Sequence, residues 1–349
     1  VSIFKNNSSG ERKYFSLLNS ITLIINWGII GPGRIARKFA TDLADIPGAK
    51  IHAVASTSAA RAQSFAAEFG AGYYYDSYEA LVQCPDLHVV YIATPHAFHP
   101  QQVMICLEAG IPVLCEKPIT LNAAQLRLLI ETARQKNTFL MEALWSRFLP
   151  TITKVVELIN SGVIGKVVTV KADFGFRSEY DALQRAFNPA LGGGSLLDIG
   201  IYPLFLATLL LGKAQTIKAI AKLSPTGVDE TCAALLHYPG GEIAVIDSSF
   251  AYKTPTEAYI YGDTGGYIHI HSRFHGPNKG FTLQVPGKDP VQYTYEWDNL
   301  GYRYEAIEVM NCLREGKKES DLWPLSASLL LMETMDEIRA QIGVRYPGE

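Results

Sequence analysis

The chain of 349 residues is poor in cysteine, and its five (Cys84, Cys106, Cys115, Cys232 and Cys312) include no CxxC pair. Scattered thiols in odd number argue against a disulfide framework and fit a reducing cytoplasm. Basic charge is not in excess either: 31 Lys and Arg against 34 Asp and Glu leave a net charge of −3. With no basic run to neutralise phosphates, nucleic acid is not an expected partner. No segment reaches the roughly 18 uninterrupted apolar residues of a membrane span, and no membrane role is expected. Internal repeats, low-complexity tracts and an initiating Met are also missing. Lys5, Arg12 and Lys13 ahead of the apolar run 21–30 imitate a signal peptide, but no small-residue cleavage site follows. The run leads instead into a glycine loop that needs a strand before it, so residues 1–24 are read as a loosely ordered extension.

What is present is ample core material, 48% hydrophobic, in a chain longer than single cores usually grow. Two domains sharing one site follow. Over residues 25–145 short apolar runs (25–30, 51–55, 89–93, 113–117, 139–141) alternate with helical patterns (35–43, 59–69, 100–109, 122–136), the signature of a parallel sheet with helical crossovers. After Pro150 the pattern changes to alternating strands at 167–176, 216–223, 232–238, 242–250, 258–261 and 267–271, with helices at 151–160, 195–211, 302–314 and 325–342. The expected fold is an α/β Rossmann domain, residues 25–145, plus an α+β domain, residues 146–349, with a large, mostly antiparallel open sheet. The C-terminal helix is a candidate to pack back on the first domain. Too few helices accompany the second sheet to cover both faces, which predicts burial by a second copy of the chain in a homodimer or higher homo-oligomer.

The first chemistry lies in Gly31-Pro32-Gly33-Arg34-Ile35-Ala36, a GxGxxA turn between a strand and a helix. Gly31 permits the tight turn, Gly33 lets the backbone approach a pyrophosphate, and the helix N-terminus opening at Arg34 and Ile35 favours the phosphate charge. Alone the pattern is weak; in a βαβ unit it points to a dinucleotide, against an ordinary glycine-rich turn. At the end of the second strand stand Ser56 and Thr57, with Arg61 one helical turn on and no acid for ribose hydroxyls. NADP is favoured over NAD, which stays the alternative, as does a merely solvated Arg61. Thr94, His96 and His99 follow the strand at 89–93 at the same edge and are assigned to the nicotinamide half. His99 is equally readable as a helix-start residue satisfying nearby backbone. Glu116-Lys117-Pro118 ends a buried strand and delivers Lys117 to the ligand-bearing edge, the alternative being a surface lysine in a turn.

Together these motifs, with Glu142-Ala143-Leu144-Trp145-Ser146-Arg147-Phe148 and Gly192-Gly193-Gly194-Ser195-Leu196-Leu197-Asp198-Ile199-Gly200-Ile201-Tyr202, resemble the glucose-fructose oxidoreductase, inositol dehydrogenase and rhizopine-catabolism (Gfo/Idh/MocA) superfamily. The branch resembled most is that of dimeric dihydrodiol dehydrogenases and NADP-dependent xylose dehydrogenases. The resemblance implies hydride transfer between nicotinamide C4 and a carbinol or carbonyl carbon of a sugar, polyol or cyclic trans-diol, without metal. It implies that Lys117 hydrogen-bonds the reacting oxygen and lowers its neighbour's pKa, that Glu116 belongs with the cofactor set, and that Asp198 and Tyr202 form a motif in which many relatives carry histidine at the second position. Tyr202 is then the acid/base, and a nearby ammonium is expected to favour tyrosinate. Pro203, lacking an N–H, is expected to bend the helix and free the carbonyl of Ile199. Asp198 is also readable as a first-turn acid on the helix dipole.

For substrate, Trp145, Phe148, Phe174 and Phe176 offer an aromatic lining, with Arg147 beside nicotinamide or substrate; aromatics at such spacing are more often core. His269 and His271 share one strand face, more commonly a polar surface than a metal pair. A second functional class, a cofactor-binding sensor that lost turnover, would be marked by loss of Lys117 or Tyr202, and both are present. A purely structural module is disfavoured by the intact glycine loop.

Overall fold

The structure, a computed structural model, describes residues 24–349; the extension expected over residues 1–24 lies outside the described residues except for Ile24. In the first half β1 (Ile25–Ile30), α1 (Arg34–Ala44), β2 (Ala49–Ala55), α2 (Ala59–Phe69), β3 (Tyr73–Tyr75), α3 (Tyr78–Leu81), β4 (Val89–Ile92), α4 (His99–Glu108), β5 (Val113–Glu116), α5 (Ala123–Gln135) and β6 (Leu140–Ala143) follow in order. The six strands form one parallel sheet in the order β3-β2-β1-β4-β5-β6. Helices cover both faces, so β4 is buried along its whole length and β5 until Glu116. The order reverses between β1 and β4, the place where such sheets leave a crevice beyond their carboxyl ends. Ile30 stands opposite both Ala55 and Ile92, so the segments after β1, β2 and β4 open at one level.

Beyond the 3₁₀ turn Trp145–Phe148 come α6 (Pro150–Asn160), β7 (Val167–Gly175), a π-helical turn at Leu196–Gly200 running into α7 (Ile201–Leu211), then β8 (Thr216–Leu223), β9 (Asp229–His237), β10 (Ile243–Ser249), β11 (Ala258–Gly262), β12 (Tyr267–Ile270), β13 (Gly280–Gln284), β14 (Val291–Thr294), α8 (Arg303–Arg314) and α9 (Leu325–Ile342). The second sheet has the order β14-β13-β12-β11-β7-β10-β9-β8. All pairs are antiparallel except β10 with β7. Its strands alternate: Val170, Ala172, Ala244, Ile246, Ala258 and Ile260 are buried on the helix side, while Leu235, Ile243 and Val245 are exposed on the other.

Segment Pro189–Leu211 is long and apolar enough by composition to cross a bilayer, but 78% of its most apolar window is buried inside the fold. It is apolar all round because protein surrounds it. Its start is held by Asp229, whose carboxylate accepts from Ser195 Oγ at 2.7 Å and from the Leu196 N–H at 2.6 Å. Carboxylates help tie the halves together. Asp42 on α1 accepts the N–H groups of Tyr302 and Arg303 at 2.8 and 3.1 Å, capping α8 from another element. On the opposite side Asp336 of α9 accepts the Ala123 N–H at the start of α5, at 2.8 Å.

Three strands escape the sequence pattern. β3 is a three-residue edge strand of the first sheet, and β13 and β14 lie at one end of the second, where the Val-Gln-Tyr-Thr of β14 has no buried residue and so shows no apolar alternation.

Candidate active site

The glycine turn is built as a cradle. Gly31 has φ +82°, and a Cβ there would meet Thr94 Cγ2 at 2.6 Å, so the approach of the β1 and β4 loops requires glycine. At Gly33 a Cβ would meet only the Gly31 carbonyl, at 3.9 Å, leaving space above the turn. Gly33 is also the N-cap of α1 and supplies no side-chain cap, so the first-turn N–H groups remain available to a ligand. Above them lies a cleft of about 510 Å³ whose walls include Gly31, Gly33, Ser56, Thr57, Arg61 and Thr94. The Arg61 guanidinium reaches back to Thr57 Oγ1 at 3.3 Å. A second chamber of about 290 Å³ adjoins it through Ala93, Thr94 and Pro95. Arg34, Ile35, His96, Glu116 and Lys117 line it from the first domain, Trp145 as that domain's last residue, and Asp198 and Tyr202 from beyond it. Two chambers joined over an uncapped helix start match the extended, bipartite shape of a dinucleotide.

Lys117 is where the halves meet chemically. Its Nζ donates to the Asp198 carbonyl at 2.6 Å and to Asp198 Oδ1 at 3.3 Å, and lies 4.8 Å from the centre of the Tyr202 ring. The π-helical turn at Leu196–Gly200 and the missing N–H of Pro203 break the ordinary backbone ladder here. The carbonyl engaged by lysine is that of Asp198, one residue before Ile199, whose carbonyl Pro203 is expected to free. Asp198 Oδ2 accepts from Arg185 at 2.8 Å, so two cations share one buried carboxylate. Burial alone would raise the Asp198 pKa, but Lys117 and Arg185 outweigh it and hold the group far below the usual carboxylate range. His96 stands 3.9 Å from the same carboxylate and is bonded through Nδ1 to the Gly192 carbonyl at 3.0 Å. Burial keeps it neutral, well below the usual histidine range.

Tyr202 departs from its expected state. Its pKa is raised well above 10, first by burial and then by the charges of Glu116 and Asp198, so the hydroxyl stays protonated beside the Lys117 ammonium. The ammonium faces the ring rather than the oxygen. Trp145 Nε1 donates to the Tyr202 hydroxyl oxygen at 3.1 Å, which leaves the hydroxyl hydrogen unspent in that bond.

Three assigned residues stand elsewhere. His99 is fully buried, with Nδ1 2.9 Å from the Pro118 carbonyl and Nε2 2.8 Å from the Thr94 carbonyl, and does not line the cleft. It braces the Lys117 loop against the β4 loop, and burial lowers its pKa to about 4. Arg147 points away from both chambers and donates to the Leu322 carbonyl at 2.9 Å, pinning the segment before α9. Phe174 stacks on His275 at 4.1 Å and reaches the site only through ring contact with Tyr202 at 5.8 Å. Phe148 is buried core, and Phe176 packs on Phe250. His269 is engaged by Glu257 at 2.9 Å, and His271 by Thr282 at 2.8 Å.

Conversely, Arg185 and Tyr302 line the second chamber without having been singled out. Tyr302 stacks on Trp145 at 4.6 Å, and His275 lies 4.8 Å from the Tyr202 ring. Arg185 sits in a polar loop with no local pattern, and Tyr302 and His275 arrive from more than 70 residues beyond Tyr202. Only the fold supplies their signal.

Comparison with known proteins follows the same division. The oxidoreductase family with NAD-binding Rossmann fold, Gfo/Idh/MocA, matches residues 25–144, and the Gfo/Idh/MocA C-terminal domain matches residues 152–268. The chain belongs to the Gfo/Idh/MocA oxidoreductase family. The chain is 39% identical to the trans-1,2-dihydrobenzene-1,2-diol dehydrogenase of Mus musculus, over 94% of this chain and 99% of that protein. Against the Homo sapiens protein of the same name it is 36% identical, again over 94% and 99%. Among solved structures it resembles KijD10, a 3-ketoreductase from Actinomadura kijaniata in complex with NADP and TDP-benzene, with TM-score 0.81 and 25% identity over 91% of this chain and 98% of that one. The aldose-aldose oxidoreductase of Caulobacter crescentus shares the fold, with TM-score 0.83 and 24% identity over 91% and 97%.

Proposed function

We propose that this Gfo/Idh/MocA oxidoreductase interconverts a carbinol and a carbonyl on a cyclic trans-diol or sugar, with Tyr202 and Lys117 managing the proton and charge at the reacting oxygen. The observation that carries this is the convergence of Lys117, Asp198 and Tyr202 in the chamber that continues the dinucleotide cleft. A bound nicotinamide would supply or accept the hydride. The chain's task is the oxygen. In the reducing direction Tyr202, held neutral, donates its hydroxyl proton to the oxygen as negative charge develops there, and Lys117 stabilises that charge as an ammonium. Oxidation reverses the transfer. Asp198 orients Lys117, and Arg185 holds the other oxygen of the same carboxylate. The stacked Trp145 and Tyr302 rings offer a flat wall to a planar or cyclic substrate, and Trp145 fixes the Tyr202 oxygen. The names of the curated relatives, dehydrogenases of a cyclic trans-diol, support that class.

NADP is the cofactor favoured in this reading. Thr57 is neutral and Arg61 lines the cleft beside Ser56, a setting for a 2′-phosphate rather than for a bare ribose diol. The outer face of the second sheet is assigned to a second copy of the chain. Leu235 pairs Val245 across β9 and β10, Ile220 and Ile243 are exposed nearby, and the same face continues through Tyr259 to Tyr261 and Tyr267. Exposed apolar and aromatic side chains on one sheet face, with Lys171 among them, are of the kind homodimers bury.

Three outcomes test these assignments. With NADP and trans-dihydrodiols, aldoses and inositols as substrates, Tyr202→Phe lowers turnover by about two decades or more while cofactor affinity stays near that of the unaltered chain; near-normal turnover removes Tyr202 from the proton path. Arg61→Ala weakens NADP by about tenfold or more and NAD little; equal losses show that Arg61 does not meet the 2′-phosphate. Sedimentation equilibrium at micromolar concentration gives a dimer that Leu235→Glu dissociates, and a monomer in the unaltered chain contradicts the interface.

A further inference from the structure

The loop leading into α8 is held from the first domain, and what it holds in turn is the ring beside Tyr202. Asp42 of α1, a buried carboxylate, accepts the Leu300 N–H through Oδ1 at 2.9 Å. Through Oδ2 it accepts those of Tyr302 and Arg303 at 2.8 and 3.1 Å. The intervening Gly301 N–H is taken by Asn299 Oδ1 at 2.8 Å, so every backbone donor from Leu300 to Arg303 is engaged. A helix cap needs only the donors of the first turn. Leu300 lies before the helix, so Asp42 also fixes the loop on both sides of Gly301. Nearer the surface Arg303 approaches Asp45, at the end of α1, at 3.9 Å.

This loop is one jaw of a clamp on the Trp145 indole. Gly301 has φ +96°, and a Cβ there would meet Trp145 Cζ3 at 3.0 Å, so the close approach of backbone to ring requires glycine. Tyr302 stacks on the ring at 4.6 Å with 17° between the planes. The other jaw is the loop before β13. A Cβ on Gly276 would meet Trp145 Cη2 at 3.0 Å, and the His275 carbonyl accepts from Ser146 Oγ at 2.5 Å, which ties that loop to the residue after the tryptophan. With one face stacked and the six-membered edge enclosed, the indole has little room to slide. Its Nε1 then meets the Tyr202 hydroxyl oxygen, at 3.1 Å, in one place.

We infer that Asp42 is a positioning residue for the Tyr202 hydroxyl, acting through the loop at Gly301 and Tyr302 and then through the Trp145 indole. This rests on the reading of Tyr202 as the proton donor. Asp42 itself lines neither chamber. It stands near the far end of the helix whose uncapped start opens under the dinucleotide cleft, so the cofactor cradle and the aromatic clamp are referred to one rigid rod. That arrangement suits a reaction in which a hydride and a proton reach adjacent atoms of one substrate from groups on different domains. Proton transfer requires heavy atoms about 2.6–3.2 Å apart, a tolerance that a loosened indole exceeds.

The expected signature is selective. The cofactor rests on the first turn of α1 and Asp42 lies near the last, so removing its charge leaves cofactor affinity close to that of the unaltered chain. Turnover falls by about tenfold to a hundredfold, the scale of a displaced reacting group. The loss is expressed through the indole N–H, so it vanishes where that N–H is already missing. Residues acting as one unit are non-additive in this way, whereas a general weakening of the fold adds to any other defect.

The experiment is a double-mutant cycle on the full chain, with NADP and the fastest substrate among trans-dihydrodiols and aldoses, in variants that circular dichroism shows to be folded. Asp42→Asn lowers turnover by about tenfold or more. Trp145→Phe, which keeps a ring for the stack and removes the N–H, also lowers it, and the combined chain is within about twofold of the slower single one. Tyr302→Leu leaves the backbone N–H on Asp42 and removes the stack, so it reproduces the loss and serves as the test where Asp42→Asn does not fold. The indole N–H resonance that Trp145→Phe removes from an isotope-labelled chain shifts in both variants, a readout that needs no turnover. Near-normal turnover in a folded Asp42→Asn, Tyr302→Leu or Trp145→Phe chain, losses that multiply in the combined chain, or an unmoved Trp145 resonance overturns the inference. Near-normal turnover in Tyr202→Phe overturns the reading of the proton donor and this inference with it, whereas a slow Tyr202→Phe chain beside a normal Asp42→Asn chain overturns the inference alone.

Discussion

The contact between Lys117 and Asp198 is the constraint on which the candidate site depends. It joins residues 81 positions apart, one at the carboxyl edge of the parallel sheet and the other in the π-helical turn before α7. A buried ion pair is costly in desolvation, and one partner left alone would be costlier still. Here the carboxylate is satisfied on both oxygens by Lys117 and Arg185, and the ammonium gains the Asp198 carbonyl as a further acceptor. The irregular helix start is therefore part of the site. A regular α-helix would commit that carbonyl to its own ladder.

The supports around this contact are hidden from it. His99 braces the two loops that present Thr94 and Lys117, Glu142 on β6 accepts the Ile119 N–H at 3.1 Å just after the lysine, and Asp229 fixes the start of the segment carrying Asp198. Each is a buried polar group that bonds backbone, which is how a loop is held in one conformation. Arg147 does comparable work farther off, at Leu322.

The parts of this arrangement legible in the sequence are those with local patterns. The βαβ alternation, the glycine turn and the strand ending at Glu116 each lie within a few residues, and the chamber walls formed by Gly31, Ser56, Thr57, Arg61 and Lys117 follow from their places at strand ends. What was illegible depends on long-range packing. Arg185 reaches Asp198 from an unpatterned loop, and Tyr302 reaches Trp145 from the other end of the second domain. Arg147 and His99 have residue types suited to a site, but their direction was decided by backbone acceptors that no spacing rule reveals. The ionisation of Tyr202 is likewise set by packing: the Lys117 ammonium meets the ring face, and burial is the largest cause of its raised pKa.

The central claim is that Asp198 matters as an anion that positions Lys117. Steady-state and cofactor-binding measurements on Asp198→Asn test it most directly, because the amide keeps the volume and removes the charge. The account predicts cofactor affinity close to that of the unaltered chain and turnover lower by about two decades or more, the usual scale for losing a positioned acid/base apparatus. Turnover within a few-fold of the unaltered chain would contradict it.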